Sequence, residues 1–314
     1  MCYDKVTLWI GRSFTPQCID KMASRLNIGK RREDLRTGIV TMEGAIRGMK
    51  LYFRPNGLSI VGSLPKFLYD DNIHPLTRGT TGQAIEGISE AIGIDISDAK
   101  VTGLEFGMVY PVSFPVPDYL SRLGELPNMH RYRFAESTLY YKSKGRNQAK
   151  ILCFYDKIED ARAKGVTLPI GFEDANLLKY ELRLRGRISQ RLGVNDVTAS
   201  SLSDTFIYGK LVNMYQSEYM AIHKQRKADN NMKSIKTVSD ACEVLLGRLI
   251  NDGEQGKIER YIEELKHEGI FANSTYYTRV KKKLLVAVDK ASGGCVDNVI
   301  KELDNDINNL GAYI

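Results

Sequence analysis

The chain has 314 residues, 43% hydrophobic and 26% charged, ordinary values for a folded protein of one large domain or two medium ones. Its net charge of +7 and isoelectric point near 9.0 suit a polyanionic partner. No apolar run reaches the ~18 residues of a membrane span, and the start MCYDKVTLWIGRSF lacks the apolar stretch and cleavage site of a signal peptide. Five scattered cysteines without CxxC pairs point to free thiols in a reducing compartment, against a disulfide framework or a zinc site. Four dispersed histidines, with no HExxH or HxH, give no support to a histidine metal site.

Up to about residue 190 the pattern reads as strands mixed with short helices. CYDKVTLWI (2–10) is a strand, and Thr15-Pro16 opens a helix through about Leu26. TGIVTMEG and IRGMKLYFRPNGLSIVGS read as strands, with Pro55-Asn56-Gly57 as a hairpin turn. TTGQAIEGISEAIG (80–93) is a helix and VTGLEFGMV (101–109) a strand. STLYYKSKGRNQAKILCFY is a hairpin around Lys144-Gly145-Arg146-Asn147, and NLLKYELRLR (176–185) is a further strand. From about 195 the spacing becomes helical, in SDTFIYGKLVNMYQSEYMAIHK, TVSDACEVLLGRLIND, KIERYIEELKHEG, STYYTRVKKKLLVAVDKA and VDNVIKELDNDINNL. The expected architecture is therefore α+β: an antiparallel sheet with flanking helices over residues 1–194, then a helical domain over 195–314.

Strand alternation singles out several side chains. In VTGLEFGMV, Leu104, Phe106 and Met108 share one face, and Glu105 lies on the other between Gly103 and Gly107. In NLLKYELRLR, the leucines and Tyr180 oppose Lys179, Glu181, Arg183 and Arg185. If the two strands are neighbours, Glu105 and Glu181 could share a hard divalent cation such as Mg²⁺ or Mn²⁺; otherwise they are solvated charges. ILCFYDKIEDARAKG (151–165) turns from strand to helix at Tyr155, which is either a half-buried aromatic or a nucleophile needing help to attack phosphorus. Basic runs at 30–36, 182–187, 223–227 and 279–283, the last holding Arg279, Lys281, Lys282 and Lys283, suit phosphate contacts. Tyr132, Tyr140, Tyr141, Tyr276 and Tyr277 near such runs suit base stacking.

Four segments in order resemble the rolling-circle replication initiators of phages and plasmids, of the filamentous-phage gene II/X type and related to the HUH endonucleases. NGLSIVGSLPKFLYDDNIHPLT (56–77) is similar to the family's block with Ser63, Lys66 and Asn72. VTGLEF (101–106) takes the place of a strand where relatives carry R-I-D, with Gly103 and Glu105 instead. ILCFYDKIEDARAKG resembles the segment with the nicking tyrosine, and LLKYELRLRGRISQRLGV (177–194) the segment after it, with Glu181 and Arg183 in E-x-R spacing. The histidine pair usual in HUH enzymes is absent, which leaves carboxylates as the metal ligands.

The resemblance implies that Tyr155 attacks a scissile phosphate of plus-strand origin DNA, becomes linked to the 5′ end and frees a 3′-OH primer. Lys157 would neutralise the phosphate or lower the pKa of Tyr155, and Arg183 would grip a phosphate oxygen. It further implies DNA contacts by Lys66, Asn72 and Arg185, and partners that include single-stranded and duplex origin DNA and host proteins such as a helicase and polymerase. The setting would be the cytoplasm of a bacterial host. A conjugative relaxase would use the same chemistry at a transfer origin. A non-catalytic DNA-binding regulator would keep the sheet and helices without a working site. A tyrosine recombinase would need an arginine and histidine set that cannot be assembled here.

Overall fold

The computed structural model describes residues 2–70, 76–143, 148–166 and 175–224, then 239, 242–243, 246–247, 262–271, 273–291 and 298–310. The strands are β1 (Cys2–Ile10), β2 (Asn27–Asp34), β3 (Ile39–Ile46), β4 (Met49–Arg54) and β5 (Gly57–Ser63). After two helices come β6 (Lys100–Pro111), β7 (Met129–Phe134), β8 (Thr138–Ser143), β9 (Lys150–Asp156) and β10 (Leu177–Arg185). All join one 10-stranded antiparallel sheet in the order β2-β3-β4-β5-β1-β6-β10-β9-β8-β7. The long strand β6 and the N-terminal β1 therefore form its centre. The Pro55-Asn56-Gly57 turn joins β4 to β5, and Gly57 has no room for a side chain beside Trp9 and the Ile10 carbonyl.

One face of the sheet is the hydrophobic core. Leu104 and Phe106 of β6, Tyr180 and Leu182 of β10 and Phe154 of β9 point into it. The helices that cover it include α1 (Pro16–Ala23), α2 (Leu64–Tyr69), α3 (Arg78–Ile92), α4 (Val116–Arg122) and, further along, α6 (Ile188–Leu192). The α3 helix starts in a Thr77–Thr80 capping box and stops at Gly93 in the left-handed conformation, so its two ends are written in local chemistry.

The core continues past residue 195. In α7 (Thr205–Met220), Tyr208, Leu211, Tyr215 and Tyr219 are buried, and the Tyr180 ring packs 4.2 Å from Phe154 and 4.0 Å from Tyr215. In α9 (Asn298–Asn308), Val299, Ile300, Leu303 and Ile307 join the same core. Helix α7 packs on β6 and α9 packs on α7 and α4, so the hydrophobic core does not end at residue 194. Between them, α8 (Ser274–Ala291) forms as its spacing predicts. The helix expected near 237–252 lies mostly outside the described residues, and of the one expected near 257–269 the stretch 262–267 is helical.

Two strands lack a periodic signal in the sequence. All of β2 is exposed, so the basic run that begins in it carries no alternating apolar pattern. The edge strand β7 reads MHRYRF and is mostly exposed for the same reason. Helix α1 ends at Ala23, short of Leu26.

Candidate active site

The second face of the sheet is polar, and cross-strand register sets its side chains in rows. Tyr155 of β9 stands opposite Lys179 of β10, and Cys153 stands opposite Glu181. On the other side of β10, Glu181 meets Gly107 and Arg183 meets Glu105, which in turn meets Lys5 of β1. Gly107 is needed here, because a Cβ would run into the Tyr180 carbonyl and the Glu181 side chain.

Tyr155 is the penultimate residue of β9. Asp156 follows as the N-cap of α5 (Lys157–Ala163), accepting from the N–H groups of Ile158 and Glu159 at 2.8 and 3.1 Å. That cap is the local reason the strand becomes a helix at this point. Helix α5 packs against β9 and β10, and its buried Ile158 and Ala161 lie outside the main core, as do Cys153 and Tyr155. The Tyr155 end of the polar face is thereby covered, and Tyr155 is only 8% exposed.

Beneath this cover is a buried ionic cluster. The Tyr155 hydroxyl donates to Glu181 Oε1 at 2.8 Å. Lys179 Nζ donates to the same oxygen at 3.0 Å and also to Asp4, which lies in an irregular stretch of β1. The Ser63 hydroxyl donates to the other oxygen of Asp4 at 3.4 Å. Arg183 grips Glu181 Oε2 through Nε and Nη2 at 2.9 and 2.6 Å. Lys179 and Glu181 are each 1% exposed, a burial that ions tolerate only when paired.

The electrostatics follow. Burial pushes the Tyr155 phenol well above its ordinary range, and Glu181 and Asp4 push it further while Lys179 opposes them. Burial would raise Glu181 as well, but Lys179 and Arg183 outweigh it and hold the carboxylate far below the usual range. Glu105 is raised by burial, with Arg183 acting against that rise. Lys157 is lowered by burial and by its neighbour Lys179.

Several expectations change. The motif points to Lys157 as the cation acting on Tyr155; Lys179 also stands over the Tyr155 ring, with Nζ 6.0 Å from the centroid. The phenol is not lowered. Glu105 and Glu181 do stand on adjacent strands, but Glu181 is not open to a shared cation. A carboxylate has roughly four acceptor positions, and Tyr155, Lys179 and both Arg183 nitrogens occupy them. Among the described residues no group of three or more His, Cys, Asp or Glu side chains is arranged to hold a metal. The residues as placed do not fit a divalent ion bridging Glu105 and Glu181.

The remaining residues divide. A cavity of ≈ 240 Å³ beside the cluster is lined by Lys5, Thr7, Glu105, Arg183 and Arg185, so Arg185 borders the site. Lys66 is exposed on α2. Asn72 lies outside the described residues. Arg279, Lys282 and Lys283 are exposed on α8, but Lys281 forms ion pairs with Glu125 at 2.9 Å and Glu263 at 3.6 Å. Of the other tyrosines on strands β8 and β10, Tyr180 and Tyr141 belong to the core face, where the Tyr141 hydroxyl donates to the Gly124 carbonyl. Tyr140 shares the polar face and hydrogen-bonds Cys153.

Sequence reasoning assigns no role to Asp4 or Lys179. Lys179 has a signal: it alternates in phase with Glu181 on a strand otherwise rich in leucine. Asp4 has none, because its place depends on β1 entering the sheet beside β6.

Fold and site together define a class, an α+β protein whose broad antiparallel sheet sets a phenol against a carboxylate and flanking cations on its polar face. Residues 52–203 match the family described as the N-terminal region of a phage replication-associated protein, the gene II protein. That segment is just under half of the chain and contains Glu105, Tyr155, Lys179, Glu181 and Arg183; Asp4 precedes it. The match supports a phage replication initiator. A comparison with curated proteins gives no match. Among the described residues no helix is long and apolar enough to cross a membrane.

Proposed function

We propose that this chain initiates DNA replication by nicking one strand of an origin, with Tyr155 as the nucleophile. The observation that carries this reading is the hydrogen bond from the Tyr155 hydroxyl to Glu181, inside the segment that matches a replication protein. The phenol oxygen forms a bond to phosphorus as the bond from phosphorus to the 3′ oxygen breaks. The phenol proton passes to Glu181, and the departing 3′ oxygen takes a proton from water. The products are a 5′-phosphotyrosyl protein and a free 3′-OH, and reversal rejoins the strand.

Tyr155 needs a base because its surroundings hold the proton on. Glu181 is a weak base while both cations grip it. Transfer of Arg183 from Glu181 to the phosphate would raise its basicity and stabilise charge on the phosphate oxygens at the same time. Lys157 and Lys179 supply further positive charge at the same end of the face. Of the two glutamates, Glu105 borders the open cavity and is the one that would hold Mg²⁺ or Mn²⁺, which would supply positive charge for the phosphate.

Burial of Tyr155 favours a second reading, a DNA-binding replication protein without nicking activity. Incubation with labelled single-stranded origin DNA and Mg²⁺ or Mn²⁺, followed by digestion and peptide mapping, separates the two. Label on a Tyr155 peptide supports nicking. Label on a Tyr140 peptide, or no covalent adduct at any origin strand, overturns the assignment.

A further inference from the structure

The polar face does not stop at Tyr155. Its register continues through β8 to the edge strand β7: Tyr155 faces Thr138, and Thr138 faces Phe134. In the next row Cys153 faces Tyr140, and Tyr140 faces Tyr132. Phe134 is 63% exposed and Tyr132 is 52% exposed. Large aromatics so open on an edge strand lose the solvent-exclusion benefit that usually places them inside. Lys142, further along the same face of β8, holds its ammonium 5.3 Å from the ring centroids of both Tyr132 and Tyr140.

We infer that β7 and β8 form a stacking platform for unpaired bases of single-stranded DNA. Every base offers a π-face, so aromatic rings on an open sheet bind single strands with little regard to sequence, and an adjacent cation follows the backbone. The arrangement matches both needs. Tyr132 and Phe134 supply the rings, and Lys142 and Arg183 supply positive charge on the same face. Neighbouring strands lie about 4.8 Å apart, so Phe134 stands roughly 10 Å from Tyr155, with the smaller Thr138 between them. A strand with its phosphate at Tyr155 would thus lay bases only a few nucleotides away over Phe134 and Tyr132. Duplex DNA keeps its base faces stacked on each other and cannot use such a platform. The inference rests on the nicking reading for its register, though not for its ligand class.

The test is binding of full-length protein to a short fluorescent single-stranded oligonucleotide of mixed sequence, without added metal, for wild type, Tyr132→Ala/Phe134→Ala and Tyr132→Leu/Phe134→Leu. Both side chains are exposed, so the variants should keep the wild-type circular dichroism and melting temperature. The platform predicts that both variants lose roughly ten-fold or more in single-strand affinity. It also predicts an unchanged salt slope, since stacking releases no counterions, and no change in duplex affinity. Replacing the bases of the oligonucleotide throughout by abasic sites should weaken wild type far more than the alanine variant. Single-strand affinity within two-fold of wild type overturns the platform. Weaker binding by the alanine variant with full retention in the leucine variant also overturns it, because that pattern marks plain apolar packing. If the affinity falls as expected but wild type forms no adduct with origin DNA, the nicking reading fails and the platform stands.

Discussion

Tyr155 and Glu181 lie diagonally across the β9–β10 pair, and the phenol of one donates to a carboxylate oxygen of the other at 2.8 Å. The same carboxylate is held by Lys179 within the cluster and by Arg183 from the cavity side. The hydrogen bond therefore sits at the border between a sealed ionic cluster and a surface cavity.

The variant Tyr155→Phe keeps the ring and removes one donor to a buried carboxylate. It should cost about 1–3 kcal/mol of stability, leave single-strand binding within two-fold of wild type, and abolish the covalent adduct. Thermal melting, oligonucleotide binding and adduct formation on labelled DNA read the three effects separately. An adduct at wild-type level would remove Tyr155 from the mechanism.

Lys179→Met should be more damaging to the fold than any surface lysine substitution. It leaves Asp4 and Glu181 buried without their shared cation, a destabilisation of about 3–5 kcal/mol. Adding Asp4→Asn should recover part of that stability, because the orphaned charge is removed. Urea unfolding of the two single variants and the double variant measures the coupling, and strictly additive effects would mean that the two groups do not act as a pair.

The pH dependence has a definite sign. Glu181 is depressed in the folded state, so its contribution is full above the unfolded carboxylate value of about 4.3 and is lost as pH falls through the folded value. Lys179 is raised, so its contribution is full below about 10.4 and is lost as pH rises through its folded value. The stability gap between wild type and Glu181→Gln should be flat from about pH 5 to 10 and shrink on acidification below about pH 4. A gap that widens in acid would contradict the pairing.

On α8 the four cations should behave differently. Replacing Arg279, Lys282 and Lys283 by Gln should weaken DNA binding and reduce the salt slope by roughly 0.7–0.9 for each phosphate that is no longer neutralised. Lys281→Gln should mainly lower the melting temperature, because its partners are Glu125 and Glu263. Titrations of affinity against salt for both variants check this, and an equal slope change in both would place Lys281 on the DNA.

The sequence by itself determined the elements whose burial pattern repeats along the chain. β6 and β10 alternate apolar with polar or glycine positions, β9 is a continuous apolar run ending at a helix cap, and α3 and α7 carry their caps and apolar faces in local order. Parity alone also put Tyr180 on the core face and Glu181, Arg183 and Lys179 on the other. The strands β2 and β7 were not legible, because an exposed edge strand has no buried face to impose alternation. The tertiary structure decided which polar side chains meet. Sheet order brings Asp4 from the start of the chain to Lys179, and register sets Arg183, which grips Glu181, opposite Glu105. Such pairings depend on which strands are neighbours and on how they are offset, and a shift of one residue would send each side chain to the opposite face.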